Sequence, residues 1–150
     1  MKTLLTTIII TLISVSCRAQ GITEEEKAWL VENIKQNMVF VEGGTFMMGD
    51  QGYIDENGYQ RWFSDLGNAR PAHPVTLTSY SICKYEVSYK EYDLYTKEKG
   101  LEPIYSRFLG YECREGDNAA VGMTWLEALD FCKWLSEITG LPINLPTNSQ

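Results

Sequence analysis

The sequence predicts a small α+β domain with short antiparallel strands and two to three helices. Its 150 residues allow one domain. A Ser or Thr precedes a Glu by three positions at Thr23, Ser88 and Thr124, and this capping-box pattern marks the start of a helix. Between the first two boxes, short apolar runs and alternating apolar and polar residues are typical of strands.

Each capping box is followed by apolar residues at helical spacing, which predicts three helices. The stripes are Ala28, Trp29, Val31 and Ile34; Tyr89, Tyr92 and Tyr95; and Trp125, Ala128, Cys132, Leu135 and Ile138. We expect the leading helix, residues 20–37, to pack loosely or to act as a spacer. The second helix ends before Gly100. The third begins at Trp125 and ends before Gly140, which is suited to a left-handed C-terminal cap.

The strands are predicted in two regions. In Met38–Asp50, two apolar runs flank Glu42-Gly43-Gly44, which predicts a hairpin whose glycines adopt positive φ. Val75–Thr78 and Tyr80–Val87 each alternate in polarity and predict two further strands with a turn at Ser79.

The segments 51–69 and 101–118 show no periodicity and are predicted to be irregular. The first contains hard oxygen ligands that calcium prefers, namely Asp50 at its border, Asp55, Glu56 and Asn57. Their spacing does not match an EF-hand loop. A solvated loop is therefore the favoured interpretation, with calcium binding as the alternative.

Ten residues stand in short blocks along the chain: Gly43, Gly44, Phe46, Gly49, His73, Glu86, Trp125, Cys132, Trp134 and Pro146. The blocks read MVFVEGGTFMMG, RPAHPV, ICKYEVS, MTWLEA, FCKW and LPT. In the same order they resemble M-V-x-I-P-G-G-x-F-x-M-G-S, E-x-P-x-H-x-V, I-D-K-Y-E-V-T, V-S-W-x-(D/E)-A, Y-C-x-W and R-L-P-T-E-A-E-W-E-Y-A. Those motifs belong to the formylglycine-generating enzyme, or sulfatase-modifying factor, family. The resemblance covers residues 38–147, and the order of the blocks carries more weight than any single block.

The resemblance implies a C-type-lectin-like fold over residues 38–150. It also implies oxidation of a substrate cysteine by dioxygen, at a copper ion held by two cysteines in the second half of the family's domain. Copper(I) prefers thiolate ligands. Asn144 replaces the motif's Arg, Cys83 replaces an Asp, and residues 148–150 replace Glu-Ala-Glu. We therefore expect a domain truncated at its C-terminus, and we assign no catalytic, cofactor or metal residue to this chain.

The cysteines and the single histidine limit the chemistry further. After residue 19 the cysteines are Cys83, Cys113 and Cys132, an odd number without a C-x-x-C pair, which gives no support to a zinc or thioredoxin-like site. Bridges from Cys113 to Cys83 or to Cys132 and free structural thiols all remain open. His73 is the only histidine, so a histidine pair or triad is excluded, and we expect a hydrogen-bonded structural role for it.

The N-terminus has the pattern of a secretory signal peptide. Lys2 precedes the apolar run Leu4–Val15, and small residues lead to Cys17 and Ala19. The two predicted outcomes are cleavage after Ala19 and lipidation of Cys17, as in a bacterial lipoprotein. Either predicts an exported protein that is periplasmic, anchored to a membrane by lipid, or extracellular.

The negative net charge limits the classes of partner that the chain can bind. Loss of residues 1–19 changes the formal net charge from -7 to -9, and the absence of a basic run argues against nucleic-acid binding. We expect instead an unknown protein or peptide partner.

Three functions follow, in order of preference. The first is an exported sulfatase-modifying-factor-like domain that is inactive as this chain. The second is a secreted C-type-lectin-like binding or interaction module, whose irregular loops recognise a partner. The third is an active copper-dependent oxidase that uses Cys83 and Cys113, although neither matches a catalytic block of the family.

Overall fold

The computed structural model describes residues 21–65, 67–105 and 114–150. Within these residues it has three α-helices and six short β-strands, so the α+β prediction is confirmed. The elements are α1 Glu24–Asn37, β1 Met38–Val41, β2 Gly44–Met48, β3 Tyr53–Ile54, β4 Gln60–Arg61, β5 His73–Leu77, β6 Tyr80–Cys83, α2 Tyr89–Lys99 and α3 Trp125–Thr139. The predicted signal peptide with Cys17, and Cys113 with its two predicted bridges, lie outside the described residues.

All three predicted helix starts are confirmed by reciprocal capping boxes. At α3, the Thr124 hydroxyl accepts the Glu127 amide at 3.3 Å, and the Glu127 carboxylate accepts the Thr124 amide at 2.6 Å. The predicted ends are also confirmed, because Gly100 and Gly140 take left-handed conformations with φ of 64° and 71°. In the part of the chain described, no helix combines the length and the apolarity needed to cross a bilayer.

The helices meet in one apolar core. Its buried residues are Leu30 and Ile34 from α1, Tyr92 and Tyr95 from α2, and Phe131, Trp134 and Leu135 from α3. The Phe131 ring lies 5.1 Å from Tyr92 and 5.6 Å from Tyr95, centroid to centroid. The tyrosine stripe is therefore a packed face, as predicted.

Two details of the predicted helix faces are wrong. We expected α1 to pack loosely, but Leu30 is 0% exposed and Ile34 is buried beside it. The reason is that Leu30 and Ile34, four residues apart, form the inner stripe. We also placed Trp125 on the buried face of α3, whereas it is 66% exposed. It stands at the first position of α3, about two turns before Cys132, and so precedes the core contacts.

The predicted Met38–Met48 hairpin is wrong. β1 pairs antiparallel with β6, and β2 with β5, so neither β1 and β2 nor β5 and β6 pair with each other. The two ladders continue in the same register. Met38 pairs with Cys83 and Met48 pairs with His73, so ten residues forward on one side match ten residues back on the other. Residues 38–48 and 73–83 therefore form one two-stranded ribbon, interrupted near Gly43.

Gly43 shows why no turn forms there. Neither Gly43 nor Gly44 has a positive φ, so our assignment for these two glycines was wrong. A Cβ on Gly43 would instead lie 2.6 Å from the Leu77 carbonyl oxygen and 2.6 Å from the Ser79 nitrogen. The Gly43 amide donates to the Ser79 hydroxyl at 2.9 Å. Glycine is thus required by the close approach of the opposite strand.

The segment predicted as a loop between residues 51 and 69 contains a small hairpin of β3 and β4, with a 3-10 turn at Gly67–Ala69. Asp55 fixes the hairpin by accepting the amides of Asn57 and Tyr59, both at 2.9 Å, and the Arg61 side chain at 2.8 Å. Polar side chains therefore order a segment that has no hydrophobic periodicity.

Candidate functional site

A groove of about 830 Å³ runs beside β6. One wall is formed by residues 80–87 and the other by residues 141–146. Its floor is mainly apolar and includes Met38, Phe131 and Leu135. A groove of this volume is within the range of about 300–1,000 Å³ that is usual for ligand pockets.

Both walls are held in place by the surrounding structure. β6 is fixed by its ladder with β1, which continues as the Lys84 amide donates to the Asn37 carbonyl at 2.8 Å. The far wall follows the left-handed turn at Gly140 and is tied to α3 by Ser136. That hydroxyl accepts the Ile143 amide at 2.9 Å and is 2.9 Å from the Ile143 carbonyl oxygen.

Two free thiols line the groove, Cys83 on β6 and Cys132 on α3. Burial raises the pKa of the Cys83 thiol, and the Glu91 carboxylate raises it further. Burial also raises the pKa of the Cys132 thiol, with an additional contribution from Cys83. The thiolate is the nucleophilic and metal-binding form, so both residues hold less of that form at neutral pH than an ordinary cysteine.

A smaller cavity of about 350 Å³ lies between α1 and the start of α2. Its buried carboxylate, Glu91, accepts the Asn33 side-chain amide at 2.7 Å and the Ser88 amide at 2.6 Å. At its rim the Lys90 ammonium lies 4.2 Å from the Trp29 ring centroid. The Glu91 carboxylate and the Lys90 ammonium are thus engaged in structural contacts.

Two of the acidic residues considered for calcium, Asp50 and Asp55, accept backbone amides within residues 50–64. Burial acts to raise the pKa of Asp50, but the amides of Ser64 and Gly52 outweigh it and hold the pKa below its usual range. The pKa of Asp55 is lowered by the Tyr59 amide and by Arg61. Over residues 21–65, 67–105 and 114–150, no group of three or more His, Cys, Asp or Glu side chains is arranged to hold a metal ion. Calcium binding remains a prediction.

The structure brings together only some of the ten motif residues. Glu86, Cys132 and Pro146 line the groove. Trp134 is in the core and Trp125 is exposed at the start of α3.

The remaining motif residues lie on the ribbon or directly after it: Gly43, Gly44, Phe46 and His73 on the ribbon, and Gly49 one residue beyond β2. Gly49 has a φ of 113°, which matches the predicted positive φ. A ring nitrogen of His73 is 3.2 Å from the Pro71 carbonyl oxygen, as expected of a structural histidine.

Sequence reasoning missed the groove itself. Its two walls come from parts of the chain more than fifty residues apart, and nothing in either segment indicates the other. The available signals were the alternation of Tyr80–Val87 and the extended, proline-containing stretch 141–146.

The chain matches the model of the sulfatase-modifying factor enzyme 1-like domain over residues 26–150. No curated protein and no solved structure matches the chain. The matched range contains the ribbon, the three-helix core and the groove. The family model covers most of the 150 residues, so the chain belongs to the sulfatase-modifying factor enzyme 1-like domain family.

Proposed function

We propose that this chain is an exported sulfatase-modifying-factor-like protein that does not generate formylglycine by itself. The observation that carries the proposal is the state of the two described thiols. Cys83 and Cys132 lie in a mainly apolar groove and have raised pKa values. Oxidation of a substrate cysteine, as implied by the family resemblance, instead requires thiolates that are available to a soft metal.

Neither thiol matches the family's copper-binding cysteine pair, which the resemblance places in the second half of the domain. A metal bound by these two thiols would have to displace their protons, which their raised pKa values oppose. In the described ranges, no histidine or carboxylate joins them in a cluster of three or more ligands. We therefore assign neither a cofactor nor a catalytic residue to this chain.

The direct test supplies the purified chain with copper(I), oxygen and a sulfatase-type cysteine peptide, and follows aldehyde formation by mass spectrometry. We expect no aldehyde above the level seen with copper alone. Matched Cys83→Ser, Cys113→Ser and Cys132→Ser variants serve as controls. Turnover that disappears in any of these variants would establish an oxidase and contradict the proposal.

A binding or interaction module is the second candidate, favoured by the hairpin of β3 and β4. Tyr53, Tyr59 and Phe63 are exposed there although the backbone is braced by Asp55. Rigid exposed aromatic rings are typical of interaction surfaces. This candidate requires that the purified chain folds alone, so the absence of a cooperative unfolding transition would rule it out.

Export is part of the proposal and is supported by the segment from Lys2 to Ala19. We expect the protein isolated from its host to begin at Gln20 or to carry lipid on Cys17. Mass spectrometry of the N-terminal peptide distinguishes the two. An intact Met1 in a soluble cytoplasmic fraction would refute export.

A further inference from the structure

Two free thiols, Cys83 and Cys132, line the groove beside β6, and the proposed function gives neither a catalytic role. We call them the groove thiols. Cys83 is the last residue of β6, and Cys132 lies on α3. One thiol therefore comes from the ribbon and the other from the helical core. The register of β6 and the packing of the core bring them together.

The register places Cys83 at the end of the ribbon that meets the core. Cys83 pairs with Met38 on β1, and Met38 packs against the core cluster to which Phe131 and Leu135 belong. Phe131 directly precedes Cys132 on α3, and Met38 and Phe131 both line the groove. The strand partner of one groove thiol and the helix neighbour of the other thus border the same space.

The electrostatics of the groove thiols also indicate that they are close. Ionisation of Cys83 raises the pKa of the Cys132 thiol, in addition to the larger effect of burial. A like charge acts on another group in this way only over a short distance. Strand register, groove lining and electrostatics therefore agree that the two thiols are neighbours in the groove.

The contacts of the residue after Cys113 do not direct that cysteine toward the groove. Arg114 pairs with the Asp93 carboxylate, and its guanidinium carbon lies 4.9 Å from the Tyr89 ring centroid. Both partners belong to α2, and neither lines the groove. These contacts favour a bridge between the groove thiols over a bridge from Cys113.

We propose that Cys83 and Cys132 form a disulfide by exchange with a disulfide donor, and that this bond fastens β6 to α3. Disulfides persist in oxidising compartments, so the presence of the bond in the host rests on the export that is part of the proposed function. The capacity of the two thiols to join does not, and the purified chain tests it. Failure of export is detected separately, from the N-terminal peptide.

The exposure of the groove thiols sets the order of the steps. Cys83 is partly accessible, whereas Cys132 is only 7% exposed. The Cys83 thiolate attacks one sulfur of the donor disulfide, forms a mixed disulfide and releases one donor thiolate. The Cys132 thiolate then attacks the Cys83 sulfur and releases the second donor thiolate. The protein thiols lose two electrons and two protons, and the donor gains both as two thiols.

The first experiment treats the purified, folded chain with glutathione disulfide and maps the linked peptides. Lys84, Arg114 and Lys133 directly follow the three cysteines beyond residue 19, so trypsin places each cysteine in a different peptide. We expect mass spectrometry of the unreduced digest to show one linked pair, which contains the two groove thiols. The absence of a linked pair, or a predominant pair that contains Cys113, would overturn the proposal.

The second experiment compares Cys83→Ser, Cys132→Ser and Cys113→Ser. A disulfide that closes a long loop restricts the unfolded chain, so oxidation should raise the midpoint of thermal unfolding by at least about 5 °C. We expect this shift in the parent chain and in Cys113→Ser, with reversal by dithiothreitol, and no shift in the other two variants. A shift that survives Cys132→Ser would contradict the proposal. The peptide map of the unaltered chain decides the point should a variant fold poorly.

The same variants test the order of attack. Folded Cys132→Ser should retain one glutathione on Cys83, because the thiol that would displace it is missing. Folded Cys83→Ser should leave Cys132 largely unmodified, whereas the same variant in urea should react there. Equal modification of the two thiols in the folded variants would overturn the assigned order.

Discussion

The helical core and the β-ribbon differ in where their backbone hydrogen bonds come from. Each helix satisfies its interior groups within its own sequence and needs only caps and an apolar stripe. Each ribbon strand depends on a partner about 25 to 45 residues away, and Phe40 on β1 remains 69% exposed. The comparison indicates that the packed helices stabilise the fold, whereas the ribbon positions strand β6 beside the groove.

The largest expected effect is in the core. Trp134 is 4% exposed and Trp125 is 66% exposed, although both lie on α3. We expect Trp134→Ala to lower the free energy of unfolding by about 3–5 kcal/mol, and Trp125→Ala by no more than about 0.5 kcal/mol. Urea unfolding measures both. Equal losses would show that the core is not where the structure places it.

The next largest loss of stability is expected in the ribbon, where alanine is substituted at two adjacent glycines. A Cβ on Gly43 would meet backbone at 2.6 Å, while one on Gly44 would meet no atom within 4 Å. We expect Gly43→Ala to lower the free energy of unfolding by about 1–3 kcal/mol, as in overpacking. Gly44→Ala should stay within about 1 kcal/mol of the parent chain. The reverse order would indicate a turn at this point instead of a continuous ribbon.

Loss of a helix cap has a smaller effect. Thr124→Ala removes the hydroxyl that accepts the Glu127 amide, and we expect a loss of about 1 kcal/mol in the free energy of unfolding. Thr124→Ser retains the oxygen and should cost only a fraction of that. The two variants are compared by thermal and urea unfolding. Equal losses would mean that the cap is not what Thr124 contributes.

A pH effect tests burial of the tyrosine face. Burial raises the pKa of Tyr92 to about 12 from 10.0. A raised folded-state pKa gives stability that is complete below pH 10 and is lost as pH rises toward 12. Tyr92→Phe keeps the ring and removes the ionising hydroxyl, so its stability should fall less over this range. Identical profiles would contradict the burial of Tyr92.

The helices were predictable from sequence because their signals are local. The capping boxes at Thr23, Ser88 and Thr124 involve only residues three positions apart. The left-handed glycines at 100 and 140 likewise end a helix through contacts with the preceding turn. Strands β1, β2, β5 and β6 were predictable as strands, but their partners were not, and β3 and β4 were not predicted. Glu42-Gly43-Gly44 has the composition of a turn, and only the distant Leu77 and Ser79 backbone shows that its glycine serves a close contact.

The groove was beyond sequence reasoning for the same reason. Cys83 and Cys132 are forty-nine residues apart and become neighbours only because β6 and α3 border one cavity. The exposure of Trp125 was also missed, since periodicity gives a direction around the helix and not the depth along it. Family motifs identified the domain without indicating which residues meet.

Hydrogen exchange at β6 in the free chain is the most direct test of the difference between core and ribbon edge. We expect strong protection for the buried α3 amides of Phe131 to Leu135, measurable protection for Ile82 and Lys84, and fast exchange for Ser81 and Cys83. The Lys84 amide donates to the Asn37 carbonyl across the β1–β6 ladder, so the backbone groups of Ile82 and Lys84 point toward β1 and those of Ser81 and Cys83 point away from it. In the part of the chain that the structure describes, β6 pairs with β1 alone. Equal protection of Ser81 and Ile82 in the free chain would contradict the account, because both edges of β6 would then be paired.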